Sequence, residues 1–412
     1  MNRIILPGLC LIFGLLTGWF LINFLTVHPL KMSLFLTLTF LALAGLLLAW
    51  YLIRRHRLRW FAALLALLAF LTGYLVHARI FLNQEDSRFV PELTRSAEDK
   101  VPGHTAVVYF THGEPETYNP IGWLNQFREF DEQGIQFIPF IARPIFVYLL
   151  RSKYLEVGKS NHRQTHGEML TSLEQRFRAE GDSTTRFYLC FLDDEPRPDA
   201  AVIKALNEGA GRIIVANVFL TISNHTAEGQ NLIREVEAEE RCGVEIVFTD
   251  PLWDSELLRS VFPEKVYARM GNLPKEKVAI ALIGHGQPDE WDVQWATETE
   301  QEIAFRQEIT ELFVKEGFNR ENLGSAWMEF KSPKPAELMG QFVNNGVSTI
   351  YYFSAAISAD AIHSQADVPH LVNEYDFPPG VETVNLGAWN NHPTVIEAIK
   401  ERIDQHMHDQ AH

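Results

Sequence analysis

Four histidines stand where chemistry is easiest to build. Two apolar runs end alike, as Tyr109-Phe110-Thr111-His112-Gly113-Glu114-Pro115 and as Leu282-Ile283-Gly284-His285-Gly286-Gln287-Pro288. A further histidine follows each run, His225 after 113 positions and His363 after 78. Neutral imidazole binds first-row metals and accepts protons near neutral pH, and the adjacent glycine lets a substrate approach the backbone. A single strand-end histidine is as readily structural as functional. The duplication within one chain favours function. The first interval is about 35 residues longer, and residues 122–166 are where the excess falls.

The elements that position these histidines are strands of a parallel sheet. Short apolar, β-rich runs at 105–111, 186–192, 212–220 and 244–249 alternate with helical stretches, and 278–284, 323–330, 349–355 and 381–386 repeat the pattern. Such runs suit strands covered on both faces, and residues 298–315 carry Ile303, Ile309, Leu312 and Phe313 at roughly helical spacing. The expected fold is α/β, with two doubly wound halves, 104–270 and 271–412, facing across a cleft. All four histidines then lie at carboxyl ends of strands, where open α/β sheets bind ligands.

Three features resemble the class II chelatases, which insert a divalent metal into a tetrapyrrole. These are His285-Gly286, the motif Trp327-Met328-Glu329-Phe330-Lys331-Ser332-Pro333, and residues 358–369 with His363 and Asp367-Val368-Pro369. In the first half, residues 113–116, 157–161 and 215–226 are similar to the ferrochelatase arrangement, while the second half is at least as similar to the cobalt and sirohydrochlorin chelatases. The resemblance implies His285 and His363 as metal-handling and catalytic residues. It puts histidine at or beside the position of the ferrochelatase glutamate, with Glu329 as a substitute carboxylate. It implies His112, Ser160 and His225 as substrate-binding. The leading expectation is ferrochelatase-like insertion of Fe²⁺ into a protoporphyrin-type ring for haem. The alternatives are a sirohydrochlorin cobalt or iron chelatase and a non-catalytic membrane protein binding haem or metal. No resident cofactor is expected, the metal (Fe²⁺ or Co²⁺) being substrate.

The chemistry fits without analogy. Insertion removes two pyrrole protons and delivers a desolvated cation, and a histidine can accept a proton while a partner imidazole or carboxylate strips water from the metal. Residues 143–163 add Arg143, Arg151, Lys153, Lys159 and Arg163 against one acid, Glu156. With Phe137, Phe140, Ile145, Phe146, Tyr148, Leu149 and Leu150 interleaved, this suits a flat apolar ring bearing carboxylates, so Arg143, Arg151 and Lys153 are expected to bind substrate.

Residues 1–82 read as a membrane anchor. Runs at 4–27, 33–53 and 60–76 are near or above the ~17–25 apolar residues of a transmembrane helix, with Trp19, Trp50, Tyr51, Trp60 and Tyr74 read as lying toward span ends. A lipid bilayer is therefore an expected partner. Arg54, Arg55, Arg57 and Arg59 crowd one connection and only Lys31 the other, which puts the remainder outside the cytoplasm, whereas the expected activity puts it inside. The anchor has seven basic residues and no acid, so within a chain of formal charge −16 the remainder carries −23, which disfavours nucleic acid. Residues 83–103 read as a polar linker. Three cysteines exclude a disulfide framework, and Cys190 and Cys242 read as buried thiols. Asp193-Asp194-Glu195 reads as a solvated loop, and His406, His408 and His412 as a frayed terminus.

Overall fold

The computed structural model describes all residues except 1–4, 55–56, 86–88, 100–102, 133, 136–137 and 408–412. Arg55, Phe137, His408 and His412 therefore lie outside the described residues. The chain divides into two compact units, one of residues 1–87 and 117–159, the other of residues 88–116 and 160–412.

The first unit contains three helices long and apolar enough to cross a membrane: α1 (Ile5–Thr26), α2 (Met32–Ile53) and α3 (Arg59–Leu82). Small residues let α1 and α3 touch backbone to backbone. A Cβ on Gly18 would come within 2.2 Å of the Phe70 carbonyl oxygen, and one on Gly73 within 2.2 Å of that of Leu15. Trp19 and Tyr74, expected toward span ends, both make contacts inside the first unit. Trp19 stacks on His77 at 4.2 Å, and the Tyr74 hydroxyl donates to the Ile141 carbonyl. Residues 117–159 depart from the domain boundaries read in the sequence. Their helices α4 (Ile121–Glu132) and α5 (Arg143–Val157) join the apolar bundle, because Val147, Leu150, Arg151 and Tyr154 of α5 are buried there.

The second unit holds two four-stranded parallel sheets. The first has the order β2-β1-β3-β4, from β1 (His104–Thr111), β2 (Arg186–Phe191), β3 (Ala210–Asn217) and β4 (Glu245–Phe248). The second repeats it as β6-β5-β7-β8, from β5 (Val278–Gly284), β6 (Leu323–Trp327), β7 (Thr349–Ser354) and β8 (Glu382–Gly387). Every residue of β5 and β7 is buried, which explains their unbroken apolar runs. The helices are α6 (His162–Ala179), α7 (Pro198–Asn207), α8 (Asn224–Arg234), α9 (Ala238–Cys242) and α10 (Glu256–Met270). They continue with α11 (Asp289–Asp292), α12 (Ala296–Lys315), α13 (Pro335–Asn344), α14 (Val368–Asn373) and α15 (Pro393–Met407).

One core serves both sheets: Tyr109 and Ile214 share it with Phe262 of α10, Phe305 of α12 and Ile399 of α15. Here α15 crosses back to the first sheet, where the His406 carbonyl accepts from Arg212 at 2.7 Å, so His406 is helical rather than frayed. The expected linker is partly docked, with Thr94 donating through its backbone N–H and hydroxyl to Asn207.

Candidate active site

Each His-Gly pair is shaped by its own backbone. Gly113 and Gly286 have φ of +93° and +83°, a turn that side-chain-bearing residues resist. In both, the histidine Nδ1 faces the glycine carbonyl, at 2.9 Å for His112 and 2.8 Å for His285. A carbonyl only accepts, so Nδ1 donates and Nε2 is the nitrogen left for a metal or a proton. His363 is oriented differently. It opens a π-helical turn (His363–Asp367) that seats its Nδ1 2.7 Å from the Asp367 carboxylate. Such turns recur at functional sites.

The rings converge in two pairs. His112 and His225 lie 4.6 Å apart, and His285 and His363 5.4 Å, both edge to face. His225 of the first half also packs edge-on against Trp291 of the second, at 6.1 Å. His225 sits in the first turn of α8, which Ser223 caps by accepting the Thr226 N–H.

Buried acids hold the frame. Glu302 of α12 accepts the His285 N–H at 2.8 Å and pairs with Arg306, both side chains almost wholly buried. Arg306 in turn donates to the Ala326 carbonyl and lies over Trp327 at 3.9 Å, tying β5 to β6. Glu329 follows β6, and its backbone N–H donates to the His285 carbonyl at 3.0 Å. Glu114, two residues beyond His112, accepts the Ser160 hydroxyl and, at 2.9 Å, the Ile362 N–H beside His363. With Asn161 N–H to Gln365 at 2.9 Å and His166 to Ser358 at 3.1 Å, it stitches the His363 loop to the first half.

The electrostatics differ ring by ring. Burial, then the neighbouring His112 and His285, hold His225 well below the usual histidine range. Burial and His363 depress His285 against the pull of Glu329. Burial opposes charge on His363 too, but the Asp367 carboxylate, with Glu329 and Glu114, outweighs it and holds this ring above the usual range. Burial raises the Glu114 carboxyl despite Ser160 and His363. Burial thus disfavours charge on His225 and His285, whereas the Asp367 carboxylate favours it on His363.

Of the residues expected to bind substrate, His112, Ser160 and His225 belong to this constellation, whereas Arg143 and Arg151 are committed elsewhere. The Arg143 side chain forks onto Asp131, joining α5 to α4. The Arg151 guanidinium is fully buried and donates to the Phe24 and Val27 carbonyls at 2.7 and 2.8 Å, so it caps α1 rather than offering charge to a ligand. Lys153 is half-buried on the same helix. The acidic run after β2 is not simply solvated: Asp193 lies 3.4 Å from His112, and Asp194 pairs with Arg163 at 2.6 Å. Glu114 and Asp367 stand in the sequence motifs that carry the resemblance but were given no role there, and Glu302 carried no signal beyond its place in the helical run 298–315. Cys190 and Cys242 are buried free thiols. Among the described residues, no group of three His, Cys, Asp or Glu side chains is arranged to enclose a metal ion.

Paired parallel sheets with strand-end histidines meeting between them define a class II tetrapyrrole chelatase, a metal chelatase. The chain belongs to the CbiX family, whose sequence model matches it twice, over residues 155–268 and 279–406, once in each half. No curated protein matches the sequence. Among solved structures it is similar to the sirohydrochlorin chelatase SirB from Bacillus subtilis with Fe³⁺ (16% identity, TM-score 0.47, covering 73% of this chain and 95% of that one). SirB from Bacillus subtilis subspecies spizizenii in complex with cobalt gives 13% identity and a TM-score of 0.45, with 73% and 94% covered. DR2241 from Deinococcus radiodurans, a multi-domain protein with structural similarity to chelatases, gives 13% and 0.44, with 73% and 55% covered.

Proposed function

We propose that this protein inserts Fe²⁺ or Co²⁺ into a tetrapyrrole of the sirohydrochlorin kind, using the histidines at the strand ends of its two sheets. The carrying observation is the His285–His363 pair, with ring centroids 5.4 Å apart and Nδ1 of each ring held by a protein acceptor. Two imidazoles supply part of a first-row metal's shell, leaving positions for water and the incoming macrocycle. His285, on which burial and His363 disfavour charge, is suited to take a pyrrole proton as the metal enters. His363, oriented by Asp367, handles the metal once its proton has left. Glu329, charge-coupled to both rings, compensates the arriving cation.

Histidine rather than glutamate at position 363 favours the sirohydrochlorin reading over haem formation, together with membership of the CbiX family. The second reading, Fe²⁺ into a protoporphyrin-type ring, is supported by the three apolar helices, which suit a product of low water solubility. The test is a panel in which the full chain in nanodiscs meets sirohydrochlorin or protoporphyrin with Fe²⁺ or Co²⁺, followed by macrocycle absorbance. Sirohydrochlorin metallation that falls at least a hundredfold in His285→Ala supports the proposal. Metallation of neither ring, or an unimpaired variant, overturns it.

A further inference from the structure

The hairpin of α4 and α5 carries an apolar stripe that the enzymatic reading does not use. Ile141, Ile145 and Leu149 recur every four residues along one face and are 52%, 49% and 53% exposed, with Phe140 beside them. The opposite face of α5 is buried, and α4 closes on α5 through Trp123 and Phe127, both edge-on to Phe146.

Four hydrogen bonds fix the depth of this hairpin on the bundle, all toward one end. Arg151 donates to the Phe24 and Val27 carbonyls, the Tyr118 hydroxyl to that of Thr26, and the Tyr74 hydroxyl to that of Ile141. Residues 24–27 are the last turn of α1 and its exit, and Tyr74 lies about 12 Å, or eight residues, before the end of α3. If α1 to α3 cross a bilayer, the Ile141 end of the stripe lies inside its boundary. At that same end the spans also expose apolar side chains, Leu34 near the start of α2 and Leu75 and Ile80 near the end of α3.

We infer that the α4–α5 hairpin is itself a membrane element, lying in the interface with Phe140, Ile141, Ile145 and Leu149 immersed in lipid. Arg151 is its anchor bolt, a buried cation on the carbonyl end of α1. The occupant is lipid rather than a protein partner, because the hydrogen bond from Tyr74 sets the stripe at the depth of a span whose own exposed face is apolar there. This inference rests on the spans crossing a membrane and is independent of the metal chemistry.

The test uses the full chain with Cys10, Cys190 and Cys242 replaced, in nanodiscs carrying nitroxide lipids. Single cysteines bearing a fluorophore are placed at 145, 149, 47 (lipid reference) and 307 (water reference). Quenching by lipid nitroxide at 145 and 149 at least threefold that at 307, approaching that at 47, supports the inference. Water-like behaviour at 145 and 149 with lipid-like behaviour at 47 overturns the hairpin assignment alone. Water-like behaviour at 47 as well overturns the spans beneath it. Labels at 145 and 149 shielded from both lipid and aqueous quenchers mean a protein cover, and also overturn it.

Discussion

Replacing Asp367 with Asn isolates what its charge does for His363. The amide keeps the size of the carboxylate and can still accept the Nδ1 proton across 2.7 Å, so ring orientation survives while the charge goes. Burial already opposes charge on His363, and Asp367 is the largest influence holding its pKa up, ahead of Glu329 and Glu114. Without it the pKa falls. Metal binding needs the neutral ring, so activity declines as pH drops through the His363 pKa, and in Asp367→Asn this acid limb moves to lower pH. On the plateau the ring is a weaker base. Loss of such an outer-sphere partner typically costs about 10–100-fold in metal affinity, or about 1.4–2.8 kcal/mol. The lower end is expected here, because Glu329 and Glu114 remain. Initial metallation rates against metal concentration and pH give both quantities, so the profiles of the two proteins should cross. Glu114→Gln should move the acid limb in the same direction but less. An unmoved limb with unchanged KM for metal, or a larger shift in Glu114→Gln, would refute the assignment.

Other consequences are equally direct. Gly286→Ala forces a side chain into φ +83° and to within 2.5 Å of the Glu329 carbonyl oxygen, and should cost about 1–3 kcal/mol in stability, read from thermal unfolding. A wild-type melting curve would dispose of that claim. Glu114→Ala leaves the Ile362 N–H without its acceptor, for a loss of about 1–3 kcal/mol, with metallation falling as the His363 loop loosens. Arg151→Ala removes two charge-assisted bonds to the end of α1, so thermal inactivation in detergent should accelerate through a loss of about 3 kcal/mol. The KM for the macrocycle should stay unchanged, and a rise would return Arg151 to the substrate site. His166, buried and held at about 3, gives stability that is complete above the unfolded value near 6.5 and drains away as pH falls toward 3. Denaturant unfolding across that window should show the decline, and a flat profile would contradict it.

The repeated architecture was legible because parallel strands buried on both faces must be apolar throughout, and all eight expected strands form within a few residues of their expected limits. The His-Gly turns were legible because glycine at positive φ follows the histidine in both halves. Glu114, by contrast, reads only as one member of the His-Gly motif that ends the first apolar run. Its importance comes from Ser160 and Ile362, the latter 248 residues away. Arg151 reads as an available cation for the opposite reason: nothing local says that its partners are carbonyls of residues 24 and 27.

Local periodicity, backbone chirality and bulk hydrophobicity thus determined the membrane-length helices, the paired sheets and the strand ends that carry histidine. Those properties belong to a residue and its near neighbours. Tertiary structure alone decided which acid faces which imidazole, and that the basic insert serves the apolar bundle. Desolvation and charge pairing depend on groups that folding brings within a few ångströms, whatever their distance along the chain.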